Sequence, residues 1–219
     1  MKLKYKKAIV MGGSKGIGKE IAKCLKKIKI KTIVCSRKNL DTSDLSSVIR
    51  FVKKHKSTDI LILNSGGPPP LNFNQIRVND WNKFFNQLFL SFFIILKKIK
   101  IKKNGYVFYI SSTVIKEPGT KLIISSALRS AMSSLLKSYS SIKSAEGIST
   151  INIAPGPFKT RRMKELIKNI SKFEKSLPTK KIGNPTEIGE FVKFIIEKKI
   201  KYISGSTIYF DGNTLKSYS

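Results

Sequence analysis

The sequence lacks the side-chain clusters that build metal centres, disulfide scaffolds and membrane spans. Its only histidine, His55, stands between lysines, so we expect a solvated side chain and no metal site. Its two cysteines, Cys24 and Cys35, lie in apolar-periodic segments, which favours buried free thiols and a reducing, cytoplasmic compartment. The longest apolar run, near 88–96, is far shorter than the ~20 residues that span a bilayer. We therefore expect a buried helix there, no membrane association and no secretion signal.

Acidic residues are also scarce. The chain has 13 Asp and Glu against 43 Lys and Arg, which gives a formal net charge of +30. A charge of this size suits nucleic acid or an acidic membrane surface. Only six of the basic residues are arginine, however, and the lysines are dispersed, whereas nucleic-acid sites usually add arginine and exposed aromatics. We therefore favour a compositional origin and do not expect a nucleic-acid partner, although the charge attracts anionic ligands in either case.

Apolar periodicity predicts strands that alternate with helices along the whole 219-residue chain. Predicted strands lie at 6–13, 31–36, 59–70, 104–112, 147–157 and 205–212. Predicted helices lie at 19–28, 46–54, 79–100, 121–144 and 185–198. Alternating strands and helices form parallel sheets covered on both faces, so the prediction is an α/β doubly wound parallel sheet. No linker or repeat is visible, and we expect a single domain over 1–219.

Three glycines join the first predicted strand to the first predicted helix. Gly12, Gly16 and Gly18 have the spacing G-x-x-x-G-x-G. Glycine permits a tight turn and lets a pyrophosphate approach the backbone, while the helix N-terminus faces the negative charge. Because the strand–turn–helix context accompanies the spacing, the pattern indicates a dinucleotide site more than a structural turn.

Further motifs make the chain resemble the short-chain dehydrogenase/reductase family, and within it the 3-oxoacyl-acyl-carrier-protein reductase-like group. The resemblance runs nearly end to end and rests on MGGSKGIG (11–18), LNSG (63–66), PGPFKT (155–160) and SGSTIYFDGN (204–213). It implies one Rossmann-type domain that binds a nicotinamide dinucleotide. The family normally has another strand and helix just after 31–36, so this sheet is expected to be one strand and one helix shorter, with about six strands.

The second predicted strand lacks the acidic residue that would bind the ribose hydroxyls of NAD. Arg37 and Lys38 follow it, and together with Lys15 they offer positive charge to a 2′-phosphate, which favours NADP over NAD. Solvated surface charges are the alternative. The resemblance adds Asp41 and Thr42 as candidate adenine contacts. The full set of expected cofactor-binding residues is Gly12, Ser14, Lys15, Gly16, Ile17, Gly18, Arg37, Lys38, Asp41, Thr42, Asn64, Ser65, Gly66, Pro155, Gly156, Phe158 and Thr160.

The catalytic positions that the resemblance implies depart from the family pattern. Ser112 matches the serine that binds the substrate oxygen. Thirteen residues later the proton-donating tyrosine is replaced by Ser125, and four beyond that the lysine is replaced by Arg129. The asparagine position, counted from Trp81, falls on Leu88. The i, i+4 spacing puts Ser125 and Arg129 on one helix face, and S-x-x-x-R forms occur in the reductase-like group.

A serine hydroxyl is a much weaker acid than a phenol, and arginine does not titrate. Arginine can still hydrogen-bond ribose or stabilise an oxyanion beside a serine, while water or a substrate group supplies the proton. The alternative is that Ser125 and Arg129 belong to an ordinary helix face and that the site has no catalytic activity. The substitutions keep a hydroxyl and a cation, and this favours an enzyme.

Residues 161–181 occupy the position of the family's substrate lid. They carry eight basic residues against two acidic ones, with apolar side chains between them. This suits an acidic, partly apolar substrate such as an acyl thioester, although a charged amphipathic helix that packs its apolar stripe explains the pattern equally well.

Three functions stay open. We favour an NADP-dependent reductase of a carbonyl or 3-oxoacyl-thioester substrate. A non-catalytic dinucleotide-binding sensor or assembly protein and a basic nucleic-acid-binding protein are the alternatives. By resemblance, the helices at 79–100 and 121–144 form the interface of a homodimer or homotetramer.

Overall fold

The computed structural model describes residues 5–217, and these residues form a six-stranded parallel sheet. The strands are β1 (Lys7–Val10), β2 (Lys31–Val34), β3 (Ser57–Leu63), β4 (Lys100–Ile110), β5 (Ser149–Pro155) and β6 (Ser206–Phe210). Their order is β2-β1-β3-β4-β5-β6, and every neighbouring pair is parallel. The predicted doubly wound sheet and the predicted number of strands are therefore confirmed.

Helices cover both faces of this sheet. They are α1 (Gly16–Lys27), α2 (Leu45–Lys54), α3 (Val78–Phe85), α4 (Ser91–Lys98), α5 (Ile123–Lys143), α6 (Arg161–Leu166), α7 (Ile170–Ser176) and α8 (Pro185–Glu197). A π-helical segment, Asn86–Leu90, joins α3 to α4. The apolar faces of α1 and α8 pack on one side of the sheet, and those of α2, α4 and α5 pack on the other. Within residues 5–217, every helix is too short or too polar to cross a membrane.

The central strand β4 shows why the sheet is stable. Tyr106, Phe108 and Ile110 pack towards α1 and α8, while Val107 and Tyr109 pack towards α4 and α5. All five are at most 3% exposed. A continuous apolar run suits a parallel strand that is covered on both faces. Each such side chain contributes roughly 1.5–3 kcal/mol on burial, so the middle of the sheet is a rigid support for the loops at its edge.

The strand order reverses between β1 and β3. The chain leaves β1 towards β2 on one side and leaves β3 towards β4 on the other. In open α/β sheets the C-terminal ends of strands at such a reversal enclose the ligand crevice. The glycine turn follows β1, and Asn64 follows β3, so the topology brings both to this crevice.

Three local expectations are corrected. Strand β4 begins at Lys100 and not at 104, because residues 100–101 already pair with 57–58 before a register shift. The predicted helix 79–100 ends at Lys98 and contains the π-helical segment. His55 is partly buried, with its ring 4.4 Å from that of Phe51, and burial together with nearby lysines lowers its pKa. Cys24 and Cys35 are buried and free, as predicted.

Candidate active site

The predicted site residues come together in one cleft at the C-terminal edge of the sheet. The cleft has two adjoining hollows of about 320 and 630 Å³, which is the size range of cofactor and ligand sites. Every residue expected to bind cofactor or substrate lines it, except Gly18, which lies beneath. The lining residues are Gly12, Ser14, Lys15, Gly16, Ile17, Arg37, Lys38, Asp41, Thr42, Asn64, Ser65, Gly66, Ser112, Ser125, Arg129, Pro155, Gly156, Phe158 and Thr160.

The glycine turn is held against the end of β3 by Asn64. The Asn64 Nδ2 donates to the carbonyls of Met11 (3.3 Å) and Gly12 (3.2 Å). Gly12 has a φ of +56°, and a Cβ there would lie 2.7 Å from Asn64 Nδ2. A Cβ on Gly18 would lie 2.5 Å from the Gly12 carbonyl oxygen. No side chain larger than hydrogen fits at these two positions without moving the turn.

This turn leaves the N-terminus of α1 open to the cleft. Lys15 is the N-cap residue, and its side chain makes no capping hydrogen bond. Gly16 and Ile17, the first two residues of α1, line the cleft. The first backbone N–H groups of a helix have no partner within the helix and carry partial positive charge. The geometry therefore fits a phosphate, as the spacing of the glycines predicts.

Basic residues surround the wider hollow. Arg37 and Lys38 follow β2, are exposed, and line this hollow together with Ser14 and Lys15. Positive charges gathered at the rim of a cleft raise the local concentration of anions. An anionic group beyond the helix N-terminus would thus meet three cationic side chains.

The expected adenine contacts Asp41 and Thr42 lie at the wall of the same hollow. The Asp41 Oδ1 accepts from the Ser43 backbone N–H (2.9 Å) and from its hydroxyl (2.7 Å), so this carboxylate shapes the turn before α2. The Thr42 Oγ1 lies 3.4 Å from Ser65 Oγ and ties the turn to the end of β3. One carboxylate oxygen of Asp41 is thus already engaged.

The opposite wall follows β5. The Gly156 N–H donates to Phe210 O (2.8 Å), which fixes the Pro155–Gly156 turn on β6. Thr160 caps α6 by accepting from the Met163 N–H (3.3 Å). A Cβ on Gly16 would lie 3.3 Å from Thr160 Cγ2, so this segment also approaches the glycine turn.

Arg129 is the structural centre of the cleft. Its Nη1 donates to the carbonyls of Ile110 (2.9 Å) and Ser111 (3.2 Å), and its Nη2 donates to Ser65 O (3.1 Å). Its Nε donates to Ser125 Oγ (3.2 Å). The guanidinium thus joins the ends of β3 and β4 to α5. The planar fork of arginine matches this set of acceptors, which a single ammonium group could not satisfy.

Ser125 and Ser112 stand in the smaller hollow with Arg129. Ser125 is 7% exposed, and its oxygen accepts from Arg129. A serine hydroxyl has one proton to donate, so the Ser125 proton is left for another acceptor. Ser112 is partly exposed and directly precedes the short 3₁₀ turn Thr113–Ile115. Two serines and an arginine therefore line the same hollow.

A buried tyrosine, Tyr109, lies beside Arg129 but inside the core. Its side chain is 0% exposed, and its hydroxyl makes no hydrogen bond of good geometry within residues 5–217. Burial raises the pKa of Tyr109, and the charge and the polar contact of the neighbouring Arg129 oppose this only in part. A buried phenol that ionises less readily cannot serve a substrate in the cleft. Tyr109 is therefore no substitute for the tyrosine that the resemblance implies.

The residue that sequence reasoning missed is Gln87. Leu88, at the expected asparagine position, is 0% exposed and packs in a cluster with Ile124 and Leu128. The preceding Gln87 is buried, lines the wider hollow, and donates from Nε2 to Ser65 Oγ (3.2 Å) and Gly66 O (2.7 Å). The pair of amides Asn86 and Gln87, inside a largely apolar helical stretch, was the signal that could have found it.

The segment that is expected to form the lid folds as two short helices, α6 and α7, in place of one amphipathic helix. Arg162 on α6 lines both hollows and donates from Nη2 to Pro68 O on the opposite wall. Arg161 pairs with Glu165, at 3.1 Å from Nε to Oε1. Met163 and Leu166 line the smaller hollow beside Arg162. The side chain of Arg162 thus connects α6 to the opposite wall of the cleft, and Met163 and Leu166 add apolar surface to the smaller hollow.

Comparison with known proteins agrees with this architecture. The family model described as enoyl-(acyl carrier protein) reductase matches residues 40–213. The 3-oxoacyl-[acyl-carrier-protein] reductase FabG of Buchnera aphidicola subsp. Schizaphis graminum is 30% identical, over 97% of this chain and 98% of the relative. The NADPH-dependent reductase BacG of Bacillus subtilis is 25% identical, over 96% of this chain and 98% of the relative.

Solved structures share the fold. YwfH, an NADPH-dependent reductase involved in bacilysin biosynthesis, superposes with a TM-score of 0.83 at 22% identity, over 98% of this chain and 100% of that one. A short-chain dehydrogenase from Burkholderia cenocepacia in complex with NADP superposes with a TM-score of 0.83 at 18% identity, over 97% of this chain and 98% of that one. The strand order, the asparagine-clamped glycine turn and the end-to-end sequence matches lead to one conclusion: the chain belongs to the short-chain dehydrogenase/reductase family, in its 3-oxoacyl-acyl-carrier-protein reductase-like group.

Proposed function

We propose that the protein is an NADPH-dependent reductase of a carbonyl substrate. The observation that carries the proposal is the meeting of Ser112, Ser125 and Arg129 in the hollow that adjoins the glycine turn. A cation and two hydroxyls can bind a carbonyl oxygen and stabilise the negative charge that develops on it. The relative BacG, whose name describes an NADPH-dependent reductase, supports the choice of reaction.

The chain's residues fit the cofactor. The open N-terminus of α1 suits the pyrophosphate, and the lack of a Cβ at Gly12 lets the glycine turn pack against Asn64. Arg37, Lys38 and Lys15 suit the 2′-phosphate, which distinguishes NADP from NAD. In the proposal the remaining contacts come from Ser14, Gly16, Ile17, Gly18, Asp41, Thr42, Asn64, Ser65, Gly66, Pro155, Gly156, Phe158 and Thr160. When bound, NADPH supplies the hydride.

The side chains of the chain then handle the oxygen and its proton. The hydroxyls of Ser112 and Ser125 donate hydrogen bonds to the substrate oxygen. Arg129 holds Ser125 in place and stabilises the developing oxyanion through its charge. Because a serine is a weak acid, the proton that completes the alcohol comes from water that enters the open cleft.

A cofactor titration tests the proposal first. We expect NADPH to bind at least tenfold more tightly than NADH, as followed by the fluorescence of the reduced nicotinamide. The double variant Arg37→Ala, Lys38→Ala should lose this preference, because a charge-assisted contact contributes about 1.5–3 kcal/mol. Lys53→Ala, an exposed lysine on α2, is the matched control and should bind like the unaltered protein. Equal affinity for both cofactors would contradict the NADP assignment.

Turnover is tested next, with 3-oxoacyl thioesters and simple ketones. NADPH oxidation should depend on Ser112 and should fall about 10²–10³-fold in Ser112→Ala, the usual effect of losing an oxyanion donor. A non-catalytic dinucleotide binder is the second candidate, and the apolar Leu88 at the asparagine position favours it. That candidate predicts tight NADPH binding and no turnover on any member of the panel.

Oligomeric state, compartment and domain count are part of the same proposal. Several apolar side chains on the helices α3, α4 and α5 are exposed, among them Phe85, Phe93 and Ile142 (40%, 39% and 73%). Contiguous exposed apolar surface commonly marks a protein interface. We propose a cytoplasmic homodimer or homotetramer of single-domain subunits, which light scattering coupled to gel filtration would measure.

A further inference from the structure

Arg162 and Arg129 approach the same point in the cleft. A Cβ placed on Gly67 would lie 3.8 Å from Arg129 Nη2, 3.8 Å from Arg162 Nη2 and 3.7 Å from Ser125 Oγ. The two guanidinium nitrogens are therefore separated by at most twice 3.8 Å. The glycine leaves this space free of any side chain. One guanidinium comes from α5 and the other from the lid.

The positive charge at this point is only partly balanced by the protein. Arg129 is 6% exposed, and no acidic side chain pairs with it among residues 5–217. Arg162 has one distant partner, Glu165, at 3.8 Å from its Nη1. Burial and the charge of Arg129 both lower the pKa of Arg162, against the opposing effect of Glu165. Buried charges in proteins are normally paired.

Unused donors remain on both arginines. The Arg129 Nη2 carries two N–H groups and uses one of them for Ser65 O. Arg162 spends one donor on Pro68 O, and its Nη1 lies beyond hydrogen-bond distance of Glu165. Carboxylates are the acceptors that arginine forks match best. A carboxylate between these two side chains would supply the missing negative charge.

We propose that Arg129 and Arg162 bind the carboxylate of the substrate, so that the reductase acts on short oxo acids. This rests on the proposed function, which it makes more specific. Ser125 Oγ and the two guanidiniums surround one point, so the carbonyl lies one or two carbons from the carboxylate, as in a 2- or 3-oxo acid. The apolar part of the substrate then packs on Leu122, Met163 and Leu166 of the same hollow.

Binding of an unreactive pair of probes tests this without turnover. Hexanoate and hexanamide are titrated by calorimetry at matched ionic strength, on cofactor-free protein and on NADPH-saturated protein. We expect hexanoate to bind at least tenfold more tightly than hexanamide. Arg162→Gln should abolish this preference. Lys164→Gln, which removes one charge from an exposed site on the same short helix, should preserve it.

The possible outcomes separate this inference from the proposed function. Equal binding of the two probes, no binding of hexanoate, or an unchanged preference in Arg162→Gln would overturn the carboxylate site. If Arg162→Gln lost NADPH affinity but kept the preference for hexanoate over hexanamide, Arg162 would be assigned to cofactor binding, and the carboxylate site would again be overturned. A protein that binds no NADPH refutes the proposed function, whereas the probes on cofactor-free protein still decide the present inference.

Discussion

Replacement of Arg129 by methionine removes four hydrogen bonds and keeps an unbranched side chain. Three of the lost bonds end on backbone carbonyls at the ends of β3 and β4, and the fourth ends on Ser125 Oγ. A hydrogen bond to a charged group contributes about 1.5–3 kcal/mol, and a buried acceptor without a partner costs about 1–3 kcal/mol.

Two effects reduce the sum of these contributions. Removing an unpaired guanidinium recovers a desolvation cost of several kcal/mol. Water can also enter from the cleft and satisfy some of the carbonyls. We therefore expect Arg129→Met to lower the free energy of unfolding by about 2–4 kcal/mol. In a chain of 219 residues this corresponds to a fall in Tm of roughly 4–16 °C.

Urea denaturation followed by circular dichroism measures this loss, and two further variants locate its origin. Ser125→Ala removes only one of the four bonds and should cost about 0.5–1.5 kcal/mol. Arg129→Lys keeps the charge but cannot reach all the acceptors, so its stability should lie between those of the methionine variant and the unaltered protein. A loss below ~1 kcal/mol in Arg129→Met would show that the guanidinium does not hold the strand ends together, and this account of the cleft would be refuted.

Three other predictions follow from single contacts. Gly18→Ala places a Cβ 2.5 Å from the Gly12 carbonyl oxygen, so it should destabilise the fold by about 1–3 kcal/mol and weaken NADPH binding. Thermal melting measures the loss of stability, and Gly66→Ala is the control, because a Cβ on Gly66 would have no atom within 4 Å. Gln87→Leu leaves the Gly66 carbonyl without its protein donor at the edge of the cleft and should cost about 0.5–1.5 kcal/mol in urea denaturation. Burial raises the pKa of Cys24 to about 11 and that of Cys35 to about 12, so thiol labelling at pH 8 should be slow until the protein is unfolded. Because the unfolded chain releases these thiol protons from about pH 8.5 while the folded chain retains them, stability should fall as the pH rises above that value.

The middle of the sheet could be predicted because its strands contain apolar runs that end at glycine- and proline-containing turns. In β3 and β5 the runs are buried on both faces, and the pattern leaves little choice of element. The start of β4 could not be predicted in this way. Residues 100–103 are mostly lysine, yet residues 100–101 pair with the start of β3 before a register shift, because the end of a strand needs backbone partners more than apolar side chains.

The gathering of the expected cofactor residues in one cleft could be predicted from motif spacing, since each motif lies just after a strand and all parallel strands end at one edge. Gln87 could not be found by counting from Trp81. Counting identifies the position of Leu88 but says nothing about which side chain faces the cleft, and here a π-helical turn directs the amide of Gln87 to the end of β3. Such turns carry one extra residue per hydrogen-bonded ring and often occur at functional sites.

The departures at the catalytic positions are linked to one another. With leucine at position 88, this part of α5 packs on an apolar partner and needs no polar relay there. With serine at position 125, the hydroxyl is short enough to accept from the side chain one turn later, so that Arg129 bends towards the ends of β3 and β4. A tyrosine would extend into the cleft and could not hold the guanidinium in this way. Serine and arginine thus form a unit, and a single Ser125→Tyr substitution should not restore a tyrosine-dependent reductase unless Arg129→Lys accompanies it.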